Sequence, residues 1–392
     1  MRAAALLFAL TLTTTARAQW TLQPSPTTAD LRGIFNVGNG IAWASGTNGT
    51  ILRTTDTGTH WQLCTIPPNA EHLDFRGIQA FDATTAIVMS SGPGDQSRLY
   101  KTTDACQTWT LLFTNPDKDG FFDAIKFSDS YNGQIPFEGV LIGDPVGGKF
   151  TIFVTRDHGD SWRRWGVKGS GWKGPCGERD AIARKDETLF AASNQSLIFK
   201  SLTSFVFVSG GKSGSRLFLS DYSDWDGPPC STSFLTSTIS TKTKSDSVGA
   251  FAIAGTGWDN WLPTKLIVVM GDFGKPDLPS ETILLRTRDG FHVPFSGYFE
   301  PSERSTTQPH GYRSAVAYDP ATRTWITVGP NGTDISTDDG RNWRPLTPSR
   351  DEPADADKNW NALSLPYVVG PHGRIGKLRP TSSASQGPPS SR

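Results

Sequence analysis

The chain has 392 residues, with 40 Gly, 27 Pro, 13 Trp and 22 Phe. That length allows one large core or two ordinary domains, and a composition rich in Gly and aromatics without long helical patterns predicts an all-β protein. Lys+Arg and Asp+Glu each total 38, so no net charge recruits nucleic acid or an anionic membrane.

Arg2 is followed by the apolar run AAALLFALTL and then Ala16-Arg17-Ala18, the pattern of an export signal with a small-x-small cleavage site. Residues 1–18 are expected to be removed after Ala18. The run is too short to span a bilayer and no later run is long enough, so no transmembrane anchor is expected and the mature protein should be periplasmic or extracellular.

From residue 31 onward the chain repeats itself. The first unit, LRGIFNVGNGIAWASGTNGTILRTTDTGTHWQL, breaks into four short runs, RGIFNV, GIAWAS, TILRTT and HWQLC, separated by Gly and Asn as hairpin turns require. The second unit runs FRGIQAF, TAIVMSS, RLYKTT and TWTLLF. The third runs FDAIKFS, GVLIGD, FTIFVTR and SWRRW. ETLFAAS, FVFVSGG and RLFLSD form a fourth, and GAFAIAG, KLIVVMGD and ILLRTRD a fifth. The sixth contains YRSAVAY, WITVGPNG, TDISTDD and NWRPL. NWNALS, YVVGPHG and RIGKL form a seventh that lacks its last strand.

Repeats of this length with four strands each predict a β-propeller. Seven units mean seven four-stranded blades. The mature N-terminus, QWTLQPSP, matches the fourth strands HWQLC, TWTLLF and NWRPL. It is therefore expected to complete the seventh blade, closing the ring without a free edge. The propeller should occupy residues 19–379 as a single domain, followed by a disordered tail over 380–392 that contains TSSASQGPPSSR.

An eight-residue pattern recurs between the third and fourth strands: TTDTGTHW (54–61), TTDACQTW (102–109), TRDHGDSW (155–162) and STDDGRNW (336–343). Its Asp residues (Asp56, Asp104, Asp157, Asp338) can accept turn N–H groups. Its Trp residues (Trp61, Trp109, Trp162, Trp343) are expected to fold back between blades, each burying ~150–250 Å². A catalytic motif is needed once; a motif used repeatedly is architecture. The four cysteines, Cys64, Cys106, Cys176 and Cys230, allow three pairings in an exported chain. Cys64–Cys106 and Cys176–Cys230 would each staple one repeat to another; free buried thiols are the alternative.

S/T-x-D-x-G-x-x-W is the Asp-box of BNR-repeat propellers. The longer stretches LRGIFNVGNGIAWASGTNGTILRTTDTGTHW, GDPVGGKFTIFVTRDHGDSW and GYRSAVAYDPATRTWITVGPNGTDISTDDGRNW resemble the repeat of the photosystem II assembly and stability factor family, within a superfamily that includes sortilin- and sialidase-like propellers. The resemblance covers most of residues 20–378. It implies a seven-bladed propeller that binds other proteins, of a family not known for enzymes.

The residues agree with that implication. The six His are scattered without metal-ligand spacing. GGKSG (210–214) lacks the earlier Gly of a phosphate loop, since position 206 is Val. Neither a G-x-S-x-G elbow nor a dinucleotide fingerprint is present, so no cofactor and no metal are expected. Aligning the first strands gives one column, Arg32, Arg76, Asp123, Glu187, Val248, Arg313 and Asn361, with Asp180 as a rival to Glu187 in the fourth unit. The following column is small: Gly33, Gly77, Ala124, Thr188, Gly249, Ser314 and Ala362. First strands line the axial channel of a propeller. Three arginines and two acids would then meet at one mouth, with Asp144, Arg216 and Asp272 on hairpins of the same face. Such a ring either neutralises itself or holds an anionic ligand or a peptide terminus. The leading expectation is an exported, monomeric, protein-binding assembly factor. The alternative is a sialidase-like glycoside hydrolase using the three arginines, Asp123, Glu187 and Tyr312, although LRGI and FRGI lack the Pro of the sialidase F-R-I-P motif. A xyloglucanase is disfavoured because those enzymes resemble two joined propellers.

Overall fold

The computed structural model describes residues 19–128, 138–165, 181–199, 205–220, 234–239, 241–259, 262–286 and 303–379. Residues 1–18, expected as a leader, Asp180, Cys176, Cys230 and residues 380–392, expected as a tail, lie outside the described residues. The chain forms a seven-bladed β-propeller. Blade 1 pairs Leu31–Gly38, Ile41–Gly46, Ile51–Thr54 and Gln62–Leu63 in simple antiparallel order. Blades 2, 3, 5 and 6 repeat that meander from Phe75–Ala80, Phe122–Phe127, Val248–Asp259 and Ala315–Asp319 as their first strands. Each first strand packs against the next, from blade 1 to blade 7 and back to blade 1.

Blade 7 is built from Ala362–Ser364, Tyr367–Val369 and Ile375–Leu378. Its fourth strand is Trp20–Gln23, from the other end of the chain, paired Trp20↔Leu378 through Gln23↔Ile375. The Trp20 indole is buried, donates to Thr333 Oγ1 at 3.0 Å and lies 6.2 Å from the Trp360 ring. The closing strand therefore also packs onto blade 6.

The repeated hairpin explains its own composition. In each copy the Ser or Thr two residues before the Asp donates to the Asp carboxylate and accepts the N–H of the residue two beyond it; Thr54, for example, bonds Asp56 at 2.9 Å and Gly58 N at 3.1 Å. The Asp then accepts the N–H four residues on, at 2.9 Å in all four copies. These bonds hold Asp56 and Asp104 down to about 2, through the N–H and side chain of His60 and of Thr108 respectively. Each Trp packs on the preceding blade: Trp61 meets Tyr367 of blade 7 edge-on at 5.7 Å, and Trp343 joins Ile267, Val269 and Leu284 of blade 5. Gly is needed because the turn takes φ of +84° at Gly159 and +76° at Gly340, and because a Cβ there would meet Ile87 Cδ1 at 2.5 Å or Ile267 Cδ1 at 2.4 Å. In blade 2 Cys106 holds that position at φ +63° and makes the contact with the preceding blade covalent, through a disulfide to Cys64. Closing a loop with a sequence separation of 42 contributes about 4 kcal/mol in the chain-entropy treatment.

Blade 4 departs from the pattern, and from the expectation that ETLFAAS is its first strand. Only Glu187–Thr188 pair there, with Gly211 and Gly210. The strand proper is Leu197–Phe199, followed by Phe205–Val208, Ser215–Ser220 and Phe234–Ile239. Residues 189–196 leave the sheet and cross the axis as a plug. The first strands of a propeller turn an unpaired backbone edge toward the channel, and the plug satisfies part of it. Asn194 Oδ1 accepts Ile125 N of blade 3 at 2.7 Å. Gln195 accepts Val316 N of blade 6 at 2.9 Å and donates to Leu363 O of blade 7 at 2.7 Å. Its carbonyl accepts Ile253 N of blade 5 at 2.9 Å, and Ser193 Oγ donates to Ser314 O at 2.6 Å.

Candidate functional site at the channel mouth

First strands begin on the face that also carries the hairpins between second and third strands; the Asp-box turns lie on the opposite face. The first strands of blades 1, 2, 3 and 5 each open with a bulge, between Leu31 and Gly33, Phe75 and Gly77, Phe122 and Ala124, and Ala250 and Ala252. The extra residues are Arg32, Arg76, Asp123 and Phe251. A bulge re-aims its side chain out of the pleat, and these four stand at the mouth.

The structure corrects the column read from sequence in three blades. In blade 5 the bulge residue is Phe251, three places beyond Val248. In blade 4 Glu187 pairs opposite Gly211 just as Leu31 pairs opposite Gly46, so it occupies the Leu31 position. In blade 6 a Cβ on Gly329 would meet Tyr312 O at 2.1 Å as one on Gly46 would meet Asp30 O at 2.3 Å, which puts Arg313 in the Leu31 position too. One residue of register moves a strand side chain to the other face. Glu187 and Arg313 are accordingly buried within their blades. Arg216 donates through Nε to Glu187 Oε1 at 2.9 Å and through Nη2 to Glu187 Oε2, and Ser209 Oγ donates to the same carboxylate at 2.6 Å. Arg313 donates through Nε to Asp334 Oδ2 at 2.9 Å and through Nη1 to Asn331 Oδ1 at 2.6 Å. His310 shares Asp334 at 2.8 Å. The small column shifts correspondingly to Gly33, Gly77, Ala124, Ala252, Ala315 and Ala362.

Breaking such a buried pair strands a charge, which costs about 3–5 kcal/mol, whereas replacing both partners by apolar groups costs far less. Asp334→Leu is therefore expected to lower the urea unfolding free energy by about 3–5 kcal/mol, and Arg313→Leu/Asp334→Leu together by less than the single change.

Arg32 and Arg76 converge on one carboxylate. Arg76 Nε donates to Asp74 Oδ2 at 2.8 Å, and Arg32 Nη2 stands 3.8 Å from the same atom. Their side chains are 31% and 28% exposed, so the pair faces solvent with more positive charge than Asp74 neutralises. Arg32 Nε finds no acceptor among the described residues. Arg76 Nη1 reaches Ala191 O of the plug at 3.4 Å. Asp123 lies beneath, 1% exposed, and its Oδ2 is unpartnered among the described residues. Burial, and next the nearby Asp144 charge, push its carboxyl well above the usual range, against the pull of Arg76. Asp144 is also raised by burial; it accepts Leu189 N at 2.9 Å and the Thr188 hydroxyl, anchoring the root of the plug. Asp272 caps its own hairpin by accepting Gly274 N at 2.9 Å, and Asn361 Nδ2 ties blade 7 to blade 1 through Leu31 O at 2.8 Å.

A raised folded-state value means that stability falls as pH climbs from the unfolded value, 3.8, through the folded one. Asp123→Asn, neutral throughout, is expected to match the parent's urea midpoint near pH 4 and to exceed it at pH 8.

The side of the mouth opposite the arginines is aromatic, which the sequence reading missed. Phe251 stacks on Phe190 of the plug at 4.4 Å and meets Tyr312 edge-on at 4.6 Å. Phe273 lies 5.8 Å from Phe190 and is 51% exposed. Burial raises the Tyr312 phenol, while the positive charges of Arg32 and Arg76 pull it down, so Tyr312 joins the two halves. The sialidase-like constellation does not assemble: Arg313 and Glu187 are turned away, and Asp123 is covered. Among the described residues no three His, Cys, Asp or Glu side chains are grouped to hold a metal ion.

No family model matches the chain, and no curated protein does. Solved structures do. YCF48 bound to D1 peptide matches with a TM-score of 0.54 at 16% identity, over 91% of this chain and 96% of that one. YCF48 from Cyanidioschyzon merolae matches at 0.56 and 17% identity, over 93% and 100%. The GH74 xyloglucanase from Xanthomonas campestris matches at 0.55 and 13% identity, over 92% of this chain but 53% of its own. These likenesses establish the fold, the propeller that the repeats predict.

Proposed function

We propose that this protein is an exported binding propeller, an assembly factor that docks a protein segment against the channel mouth. The observation that carries the reading is the Arg32–Arg76 pair, two partly exposed guanidinium groups sharing the single carboxylate of Asp74 above a plugged channel. Forked guanidinium groups hold carboxylates through charge-assisted bonds. Behind the pair the plug is tied to blades 3, 5, 6 and 7, which gives the mouth a fixed floor. Four of the exposed large apolar side chains, Ile66, Ile182, Phe273 and Leu278, lie on connections of the same face, as a protein-docking surface requires. YCF48 has been solved with a D1 peptide bound, which supports a peptide ligand for a propeller of this shape. Export is supported by the leader sequence and by the Cys64–Cys106 disulfide, a bond that persists in oxidising compartments.

The test is a photo-crosslinking amino acid placed at Phe273, with Thr59 on the opposite face as control. In the exported fraction of the native host, the probe at 273 should give a discrete adduct that Arg32→Gln/Arg76→Gln abolishes. Equal labelling from both positions, or an adduct indifferent to the two arginines, would remove the basis of the reading.

A further inference from the structure

We infer that the aromatic wall is the specificity half of this site, so that the mouth selects a peptide whose carboxylate stands beside a large apolar side chain. The inference rests on the peptide-binding reading above. Its ground is the division of the mouth into two unlike halves around one axis. Blades 1 and 2 contribute Arg32 and Arg76. Blade 5, which offers the same bulge position, contributes Phe251, and the plug brings Phe190 against it at 4.4 Å.

Three features narrow the ligand. Tyr312 borders both halves, feeling the charge of both arginines while its ring meets Phe251 at 4.6 Å; carboxylate and apolar group must therefore be close together in the ligand. Asp123, one-hundredth exposed with Oδ2 unpartnered, faces Arg76 from blade 2 and Asp144 from its own blade. Burial disfavours its charged form, so it competes little with an incoming anion for the arginines' charge. Phe273 stands at the rim, edge-on to Phe190 and Phe251 at 5.8 and 6.2 Å, with half its surface open. A small inorganic anion uses none of this wall. A side chain such as Phe or Leu covers Phe273 and gains from burial.

The probes are hexapeptides labelled at the N-terminus with an uncharged, carboxylate-free BODIPY dye: Gly-Ser-Gly-Ser-Gly-Phe, as free acid and as amide, the free acid ending in Ser, and an amidated Gly-Ser-Gly-Asp-Phe-Gly whose only carboxylate is internal. Binding to the purified full chain is read by fluorescence anisotropy. The Phe acid should bind about tenfold or more tightly than both its amide and the Ser acid, the factor that ~1.4 kcal/mol represents. Phe273→Ser, at an exposed position, should remove the preference for Phe while leaving the Ser acid unchanged. Arg76→Gln should weaken both acids alike. Tighter binding of the internal Asp-Phe peptide would assign the carboxylate to a side chain, tighter binding of the Phe acid to a chain end, and equal binding to either, and each supports the inference. Phe and Ser acids of equal affinity, or a preference that survives Phe273→Ser, overturn it while the docking reading stands. No binding by any probe, where the crosslink at 273 still forms, also overturns it alone; failure of both experiments overturns both.

Discussion

A chain beginning at Pro24 is expected to lose about 5 kcal/mol or more of its unfolding free energy, and to do so without losing a residue of blades 1–6. The missing strand is four residues long, but it supplies the partner for the whole of Ile375–Leu378. Removing it leaves the outer edge of Ile375–Leu378 unpaired and blade 7 one strand short. It also removes Trp20, buried against Trp360 and bonded to Thr333; truncating a buried Trp costs about 3–5 kcal/mol alone. Trp20→Ala in the full chain should show that smaller loss in a urea titration. The truncated chain should in addition show fast amide exchange over residues 375–378 and concentration-dependent association through the open edge. A truncated chain that unfolds at the parent's midpoint would mean that the ring is held by its blade interfaces and that the end strand is ornamental.

The ring was legible in the sequence because its signals are local and repeated. A turn that needs Asp, a left-handed Gly and a Trp announces itself in TTDTGTHW and again in STDDGRNW, and the fourth-strand look of QWTLQPSP identifies the closing segment. The mouth was legible only where the repeats keep their spacing. Arg32 and Arg76 follow LRGI and FRGI, two nearly identical stretches, and their alignment holds. Glu187 and Arg313 do not, because nothing local tells a bulged strand start from an unbulged one, and a slip of one residue exchanges mouth for interior. Phe251 was hidden by the same ambiguity: GAFAIAG aligns on its small residues as well as on its bulge. The plug was mistaken for a strand because ETLFAAS alternates as strands do. The signal against it was the polar run Ser193-Asn194-Gln195-Ser196 and the long interval before FVFV, set beside the short one between RGIFNV and GIAWAS.

That polar run is where the second large effect is expected. Gln195→Ala should cost about 2–6 kcal/mol, although it removes only one methylene and one amide group near the axis. The arithmetic follows from what the amide satisfies: Val316 N–H of blade 6 and Leu363 C=O of blade 7, each left buried and unpaired by the substitution at about 1–3 kcal/mol. Gln195→Glu separates the two bonds. At low pH the neutral acid accepts Val316 N–H and donates its O–H to Leu363 O, so the variant should lie near the parent; at neutral pH the carboxylate still accepts Val316 N–H but cannot donate to Leu363 O, and stability should fall toward that of Gln195→Ala. Because the plug is the element that touches blades 3, 5, 6 and 7 at once, its loosening should also reduce the cooperativity of the ring. The denaturant slope should drop along with the midpoint, and the Val316 and Ile253 amides should exchange ahead of the rest of their strands. A Gln195→Ala chain with unchanged slope and a loss under about 0.5 kcal/mol, the range of an ordinary surface substitution, would show that water replaces the amide freely, and therefore that the axis is open to solvent from one of its two faces.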